Sequence, residues 1–182
     1  MQRINIIDEA EVTDNIAGML DMVRSQFNMV PNIVGVMANS PATLKAYLGL
    51  SSALAEGVLS VKLREQIALT VAGINQCSYC ASAHTVSGKQ AGLDSQEIAL
   101  NLAGASVEKN THTALSLVRQ IVECRGQIGD TYLVLAHTHG FTNEEILEIF
   151  SHMMLNMFTN YLNHLARTEI DFSVVPTGSG AA

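Results

Sequence analysis

Glu65 to His84 reads EQIALTVAGINQCSYCASAH and holds two of the three cysteines in the chain. Cys77 and Cys80 form a C-x-x-C pair, and His84 follows the second cysteine by four residues. A helix beginning near Ser78 stacks Cys80 and His84 on one face, so the stretch reads as a thiol pair with a base in reach. On its own C-x-x-C is ambiguous between redox motif, zinc ligand and chance. A zinc site wants four ligands, and no second C-x-x-C and no H-x-x-x-H accompany this one. The histidine at helical spacing favours redox chemistry.

The physical case for that chemistry is direct. A thiolate is the nucleophile, and an ordinary cysteine with a pKa of about 8.5 is mostly protonated at neutral pH. In the first turn of a helix, Cys80 sits at the positive end of the macrodipole, and His84 one turn on can take the proton directly or through water. A carboxylate such as Glu65 orients and polarises the imidazole. If the helices carrying Glu65 and His84 form a hairpin turning at Cys77 to Ser78, the two side chains are offset by about 7 Å along the axes. No direct contact between them follows from the sequence.

The pattern of Glu65, eleven residues, C-x-x-C, three residues and His84 is similar to the core motif of the alkylhydroperoxidase D (AhpD)-like proteins, the redox branch of the carboxymuconolactone decarboxylase superfamily. The likeness covers roughly Leu63 to Leu93, and NYLNHLARTEIDF at Asn160 to Phe172 resembles the close of the peroxidase-related group of that superfamily. Well-known members carry a histidine between the cysteines where this chain has Tyr79, which either donates a hydrogen bond toward a thiolate or walls the pocket.

What the resemblance implies is an all-α, AhpD-like helical bundle acting as a thiol-dependent peroxidase in antioxidant defence. It gives the catalytic set as Glu65, Cys77, Cys80 and His84, with Cys80 attacking the peroxide, Cys77 resolving the sulfenic acid as a disulfide, His84 accepting the proton and Glu65 supporting it. It calls for no cofactor and no metal. The partners would be a hydroperoxide and a thiol or dithiol reductant, lipoyl-type or thioredoxin-like, and homo-oligomers, trimers or hexamers, are expected. A general thiol–disulfide oxidoreductase or redox sensor is the alternative; a decarboxylase-type lyase fits less well, since that chemistry does not use a cysteine pair.

Composition bounds the rest. With 182 residues, 48% hydrophobic and 15% charged, the chain is long enough for one domain with a real core. The net charge is −7 and the basic residues never cluster, so nothing marks a nucleic-acid or anionic-membrane surface. The opening MQRINIIDEAEV is too short in apolar residues and too acidic for a signal peptide, and no apolar run approaches the roughly 20 residues of a membrane span. An odd number of cysteines without an export signal points to a reducing, cytoplasmic setting.

Helical periodicity runs nearly throughout. Ile16, Met19, Leu20 and Val23 make a first stripe, ended by Phe27 to Pro31; Ser40 and Pro41 open a helix to Leu54, broken by Gly57. Ser60 caps the next, with a core stripe of Leu63, Ile67, Val71 and Ile74 beside a second stripe of Glu65, Leu69, Ala72 and Gln76. Gly92 closes the cysteine helix, a short helix runs from Ser95 to Leu102, and a longer one from Lys109 to Cys124, whose thiol is expected to be buried.

The last helix, Asn143 to Ala166, carries Ile146, Ile149, Phe150, Met153, Met154, Met157, Phe158 and Leu162 and must be central or lie at a subunit interface. His137 and His139 read as a surface or capping pair, His112 as solvated, and His152 and His164 as satisfied polar groups. Residues 91–98 are echoed at 139–146, which predicts two related helical units; the same offset puts Arg125, Ile128 and Tyr132 opposite Cys77, Cys80 and His84, so the second unit lacks the chemistry. The expected organisation is one domain over residues 1–172, a redox core at 60–104, and a mobile tail at 173–182.

Overall fold

The computed structural model describes residues 1–177. Its regular structure is helical: α1 (Asp14–Phe27), α2 (Asn32–Met37), α3 (Pro41–Ala55), α4 (Val61–Ile74), α5 (Ser78–Gln90), α6 (Ser95–Leu102), α7 (Lys109–Glu123), α8 (Asp130–Thr138) and α9 (Asn143–Ala166), preceded by a 3-10 turn at Glu9–Glu11. No strand occurs among the described residues. The helix starts are where the side chains can cap them: Ser40 Oγ accepts from Thr43 N at 3.3 Å, Ser60 Oγ from Leu63 N at 3.2 Å and Asp94 Oδ1 from Glu97 N at 2.8 Å. Thr142 and Glu145 cap α9 reciprocally.

The bundle is built around α4, which packs against α5, α6, α7 and α9. Every residue from Gln66 to Ala72 is buried. Two stripes, as read from the sequence, widen here into burial all round, because helices close on α4 from several sides. It is therefore α4, and not the longest helix, that occupies the centre. Helix α9 turns Ile149 and Met153 inward and leaves Leu147, Phe150, Met154 and Phe158 exposed.

The internal echo is structural. Gly92 and Gly140 both adopt left-handed backbone, at φ 85° and 89°, where they end α5 and α8, and each is followed two residues later by an N-cap, Asp94 or Thr142. Thus α4–α5 and α7–α8 are related pairs, and the second holds neither cysteine nor histidine at the matching positions.

Two connections fix α9 and the chain end. Arg64 donates to the carbonyls of Ala55, Gly57 and Leu59 in the α3–α4 loop, and the Glu148 carboxylate of α9 accepts from Val58 N and Leu59 N. A Cβ at Gly57 would overlap that carboxylate. After α9, Ile170, Phe172 and Val175 pack into the main core, and Val175 N donates to Ser82 Oγ at 2.9 Å. Residues 173–177 are thus tied to α5, against the expectation of a free tail from 173; residues 178–182 lie outside the described residues. Cys124 also departs from expectation: it closes α7 at the surface and is exposed. The short helix α2 went unread, its six residues being too few to show a period. No helix among the described residues is long and apolar enough to cross a membrane.

Candidate active site

The site forms where α4 ends and α5 begins. Gln76 takes a left-handed conformation at φ 54°, and Cys77 N reaches back to Ala72 O at 2.9 Å, which closes α4 with a Schellman-type turn. Cys77 is extended and becomes the N-cap of α5, so one helix stops and the next starts within three residues. Its Sγ takes the place of the usual cap oxygen, accepting Cys80 N–H at 3.3 Å.

The Cys77 and Cys80 sulfurs are 2.6 Å apart, and the residues are only 2% and 3% exposed. A second donor comes from α9: Asn163 Nδ2 lies 3.3 Å from Cys80 Sγ. These contacts separate the two thiols. The Cys80 sulfur contact, with the Cys80 amide and the charge of His84, outweighs burial and holds the Cys77 pKa below its ordinary value. The neighbouring Cys77 sulfur, and then burial, push the Cys80 pKa far up. The sequence reading put the activated sulfur at Cys80 in the first turn; the cap geometry favours Cys77.

Glu65 and His84 meet. His84 Nδ1 donates to Glu65 Oε2 at 2.8 Å, with side chains 28% and 18% exposed. The offset expected from sequence assumed a turn at Cys77 to Ser78. In fact α4 stops at Ile74, which brings the two positions about two residues closer, and the long glutamate side chain spans what is left. Burial lowers the His84 pKa, but the Glu65 charge and hydrogen bond outweigh it and raise it overall. The cationic imidazole in turn favours the Cys77 thiolate.

Tyr79 is a wall. Its hydroxyl accepts Ile33 N–H at 3.2 Å, and its ring meets Phe172 edge-on at 5.7 Å. Asp171 accepts Asn32 N–H at 2.8 Å, so Tyr79 and Asp171 together fasten the start of α2 and the chain end over the cysteine helix. Burial raises the Tyr79 pKa and keeps the phenol neutral.

The sequence reading missed the inner face of α9. His152, Asn156, Thr159, Asn160 and Asn163 are all buried, one polar seam at helical spacing facing α4 and α5. The Asn156 amide favours the protonated form of His84, and Asn75 at the turn donates to Asn160 Oδ1 at 3.3 Å and Met157 Sδ at 3.1 Å, while His164 Nε2 meets its carbonyl at 2.9 Å. His152 was expected to be satisfied, yet its Nε2 is buried without a partner among the described residues, and burial followed by the Arg64 charge lowers its pKa. A polar residue every third or fourth position through an apolar helix was the available signal.

His137 is exposed and His139 half-buried, His137 Nδ1 lying 3.0 Å from the Phe141 carbonyl and His139 Nδ1 3.2 Å from Asn110 Oδ1. His112 is exposed too. A cleft of about 320 Å³ lies between the starts of α4, α7 and α9, lined by Ser60, Lys62, Glu108 and His139, and none of the four sequence-derived site residues reaches it.

Residues 41–123 match the model of the carboxymuconolactone decarboxylase family. That stretch, α3 to α7, is thus similar to the carboxymuconolactone decarboxylase family. Its fold is shared by an uncharacterized peroxidase-related protein from Silicibacter sp. TM1040, at 22% identity and TM-score 0.79, covering 91% of this chain and 88% of that one. A second, the alkylhydroperoxidase AhpD core of an uncharacterized peroxidase-related protein from Ralstonia eutropha JMP134, gives 21% identity and TM-score 0.84 over 93% and 92%. The debrominase Bmp8, whose cysteine-to-alanine variant is known in complex with 2,3,4-tribromopyrrole, gives 14% identity and TM-score 0.77 over 92% and 91%. No curated protein matches the chain.

The ion pair has a signed pH dependence. Because the His84 pKa is raised above its ordinary value of about 6.5, the pair contributes stability fully below that pH and loses it as pH rises through the folded-state value. The difference in urea midpoint between the protein and Glu65→Gln is expected to be widest near pH 6 and to shrink toward pH 9. A difference that widened with pH would contradict the pairing.

Proposed function

We propose that the protein is a thiol-dependent peroxidase in which the Cys77 thiolate attacks and Cys80 resolves, serving antioxidant defence. The observation that carries this reading is the cap of α5: Cys77 Sγ accepts the Cys80 amide at 3.3 Å and stands 2.6 Å from the Cys80 sulfur. In the first step the thiolate bonds to the terminal oxygen of a hydroperoxide as the O–O bond breaks, and the departing alkoxide takes a proton from the His84 imidazolium. Cys77 is left as a sulfenic acid and the peroxide as an alcohol.

Cys80 sulfur then displaces the hydroxyl, forming the Cys77–Cys80 disulfide and water, with the thiol proton leaving on that water. A dithiol reductant, lipoyl-type or thioredoxin-like, returns the pair to the reduced state by thiol–disulfide exchange. Glu65 holds the imidazole in the tautomer and charge state that the first step needs. No metal or cofactor enters this scheme. The order of the two cysteines is the reverse of the one that the family resemblance implies, and it follows from which sulfur caps the helix.

Assembly belongs to the same reading. Leu147, Phe150, Met154, Phe158, Tyr161 and Leu165 recur at three- and four-residue steps along the outer face of α9, and all are exposed. A stripe of that length suits a self-complementary contact, and the resemblance implies trimers or hexamers. Light scattering at micromolar concentration is expected to give a multiple of the chain mass, and Met154→Glu to reduce it; a monomer at every concentration would refute the assembly.

Single-turnover loss of hydroperoxide separates the cysteine roles. Cys77→Ser is expected to be inert, whereas Cys80→Ser should consume one equivalent and leave a dimedone-reactive sulfenic acid on Cys77. Cys124→Ser should turn over normally, and His84→Ala should react about 10²–10⁴-fold more slowly at neutral pH. The opposite pattern for the first two variants would move attack to Cys80. A protein inert to every hydroperoxide whose disulfide still cycled with dithiols would be a thiol–disulfide oxidoreductase.

A further inference from the structure

Two asparagine amides on the inner face of α9 are each half used. Asn160 is fully buried and its Oδ1 is held by Asn75 Nδ2 at 3.3 Å, which leaves its Nδ2 buried with no partner among the described residues. Asn163 is 5% exposed and its Nδ2 is held on Cys80 Sγ at 3.3 Å, which leaves its Oδ1 buried and equally unpartnered. One contact thus fixes each amide, and the free ends are one donor and one acceptor. Being three residues apart on a helix, the two side chains are neighbours on one face. Asn163 touches the Cys80 sulfur, and Asn160 holds Asn75, which stands two residues before Cys77 in the turn that leads into the pair.

A buried polar atom without a partner is costly, and two of opposite kind beside a reactive sulfur call for a small ligand with complementary groups. A hydroperoxide has them, with one O–H to give and lone pairs on both oxygens. We propose that Asn160 and Asn163 seat the hydroperoxide, Asn163 Oδ1 accepting the terminal O–H and Asn160 Nδ2 donating to the inner oxygen. The inference rests on the peroxidase reading above and specifies its substrate contacts. In the attack step the terminal oxygen passes to Cys77 sulfur, and negative charge gathers on the inner oxygen as the O–O bond breaks. Asn160 Nδ2 then meets that charge before His84 delivers the proton, as donors aimed at a developing oxyanion do. Alkyl ethers and dialkyl peroxides lack the O–H and are excluded from the seat.

The test compares two reactions of the same thiolate. Reduced full-length protein is mixed with hydrogen peroxide or tert-butyl hydroperoxide, and separately with iodoacetamide, which needs the thiolate but no O–H seat. Asn163→Ala and the isosteric Asn160→Asp, which keeps the Oδ1 held by Asn75 but loses the free donor, are expected to react roughly 10- to 100-fold more slowly with both hydroperoxides. The iodoacetamide rate of Asn160→Asp should stay within about threefold; that of Asn163→Ala falls as well, because its amide also holds the Cys80 sulfur, and for that variant the seat is read from a hydroperoxide loss about tenfold larger than the iodoacetamide loss. Equal losses in both reactions would show that the amides act on the sulfurs alone and would overturn the seat, as would hydroperoxide rates unchanged in the variants. Should Asn163→Ala fail to fold, Asn160→Asp decides by the same ratio. Wild-type protein that alkylates but consumes neither hydroperoxide would overturn the peroxidase reading itself, and the seat with it.

Discussion

Helix α5 begins on a sulfur atom. The hydrogen bond from Cys80 N to Cys77 Sγ is where local backbone geometry becomes chemistry, since the orphan N–H groups of a first turn are the protein's most accessible source of fixed positive potential. Everything near it serves to hold that cap. The left-handed Gln76 ends α4 one residue earlier, Asn75 is gripped by Met157, Asn160 and His164 of α9, and Tyr79 pins the far side to α2 and the chain end. With the cap in place, two neighbouring thiols of identical type become unlike: Cys77 Sγ takes a backbone N–H of the first turn, and Cys80 Sγ takes the Asn163 amide.

Burying a charged thiolate is unfavourable unless positive or donating groups surround it. Here a second layer supplies them, with Glu65 favouring the protonated form of His84 and Asn163 reaching over from α9. This explains an arrangement that seems inverted for a bundle: the long helix puts its asparagines, threonine and His152 inside and leaves part of its apolar side outside. Polar side chains are needed against the sulfur pair, and the apolar residues they displace face outward, where a neighbouring subunit would cover them.

Much of this was legible in the sequence because it depends on neighbours in the chain. Capping residues such as Ser40, Ser60 and Gly92 act within four positions, so the helix limits could be read, and the repeated spacing of Gly92 and Gly140 exposed the related units. The grouping of Cys77, Cys80 and His84 at the start of one helix was visible for the same reason. Contacts across helices were not. The 2.8 Å pairing of Glu65 with His84 depends on where the α4–α5 turn falls, and the polar seam of α9 passed as part of an apolar helix because no spacing rule says which face meets the site. Cys124 was read as buried from residue type alone, whereas its place at the end of α7 exposes it. The cap of α5 was not legible either, being formed by a side chain that rarely caps helices.

The central claim is that Cys77 is the resident thiolate of the reduced pair, and the pH dependence of alkylation measures it most directly. Reduced protein is pulsed with iodoacetamide between pH 4 and 10, and each cysteine is followed by mass spectrometry. The account predicts that Cys77 is modified first, with a midpoint below the ordinary thiol value of about 8.5, that Cys80 follows only at much higher pH, and that His84→Ala moves the Cys77 midpoint upward. First modification at Cys80, or a Cys77 midpoint at or above that ordinary value, would contradict it.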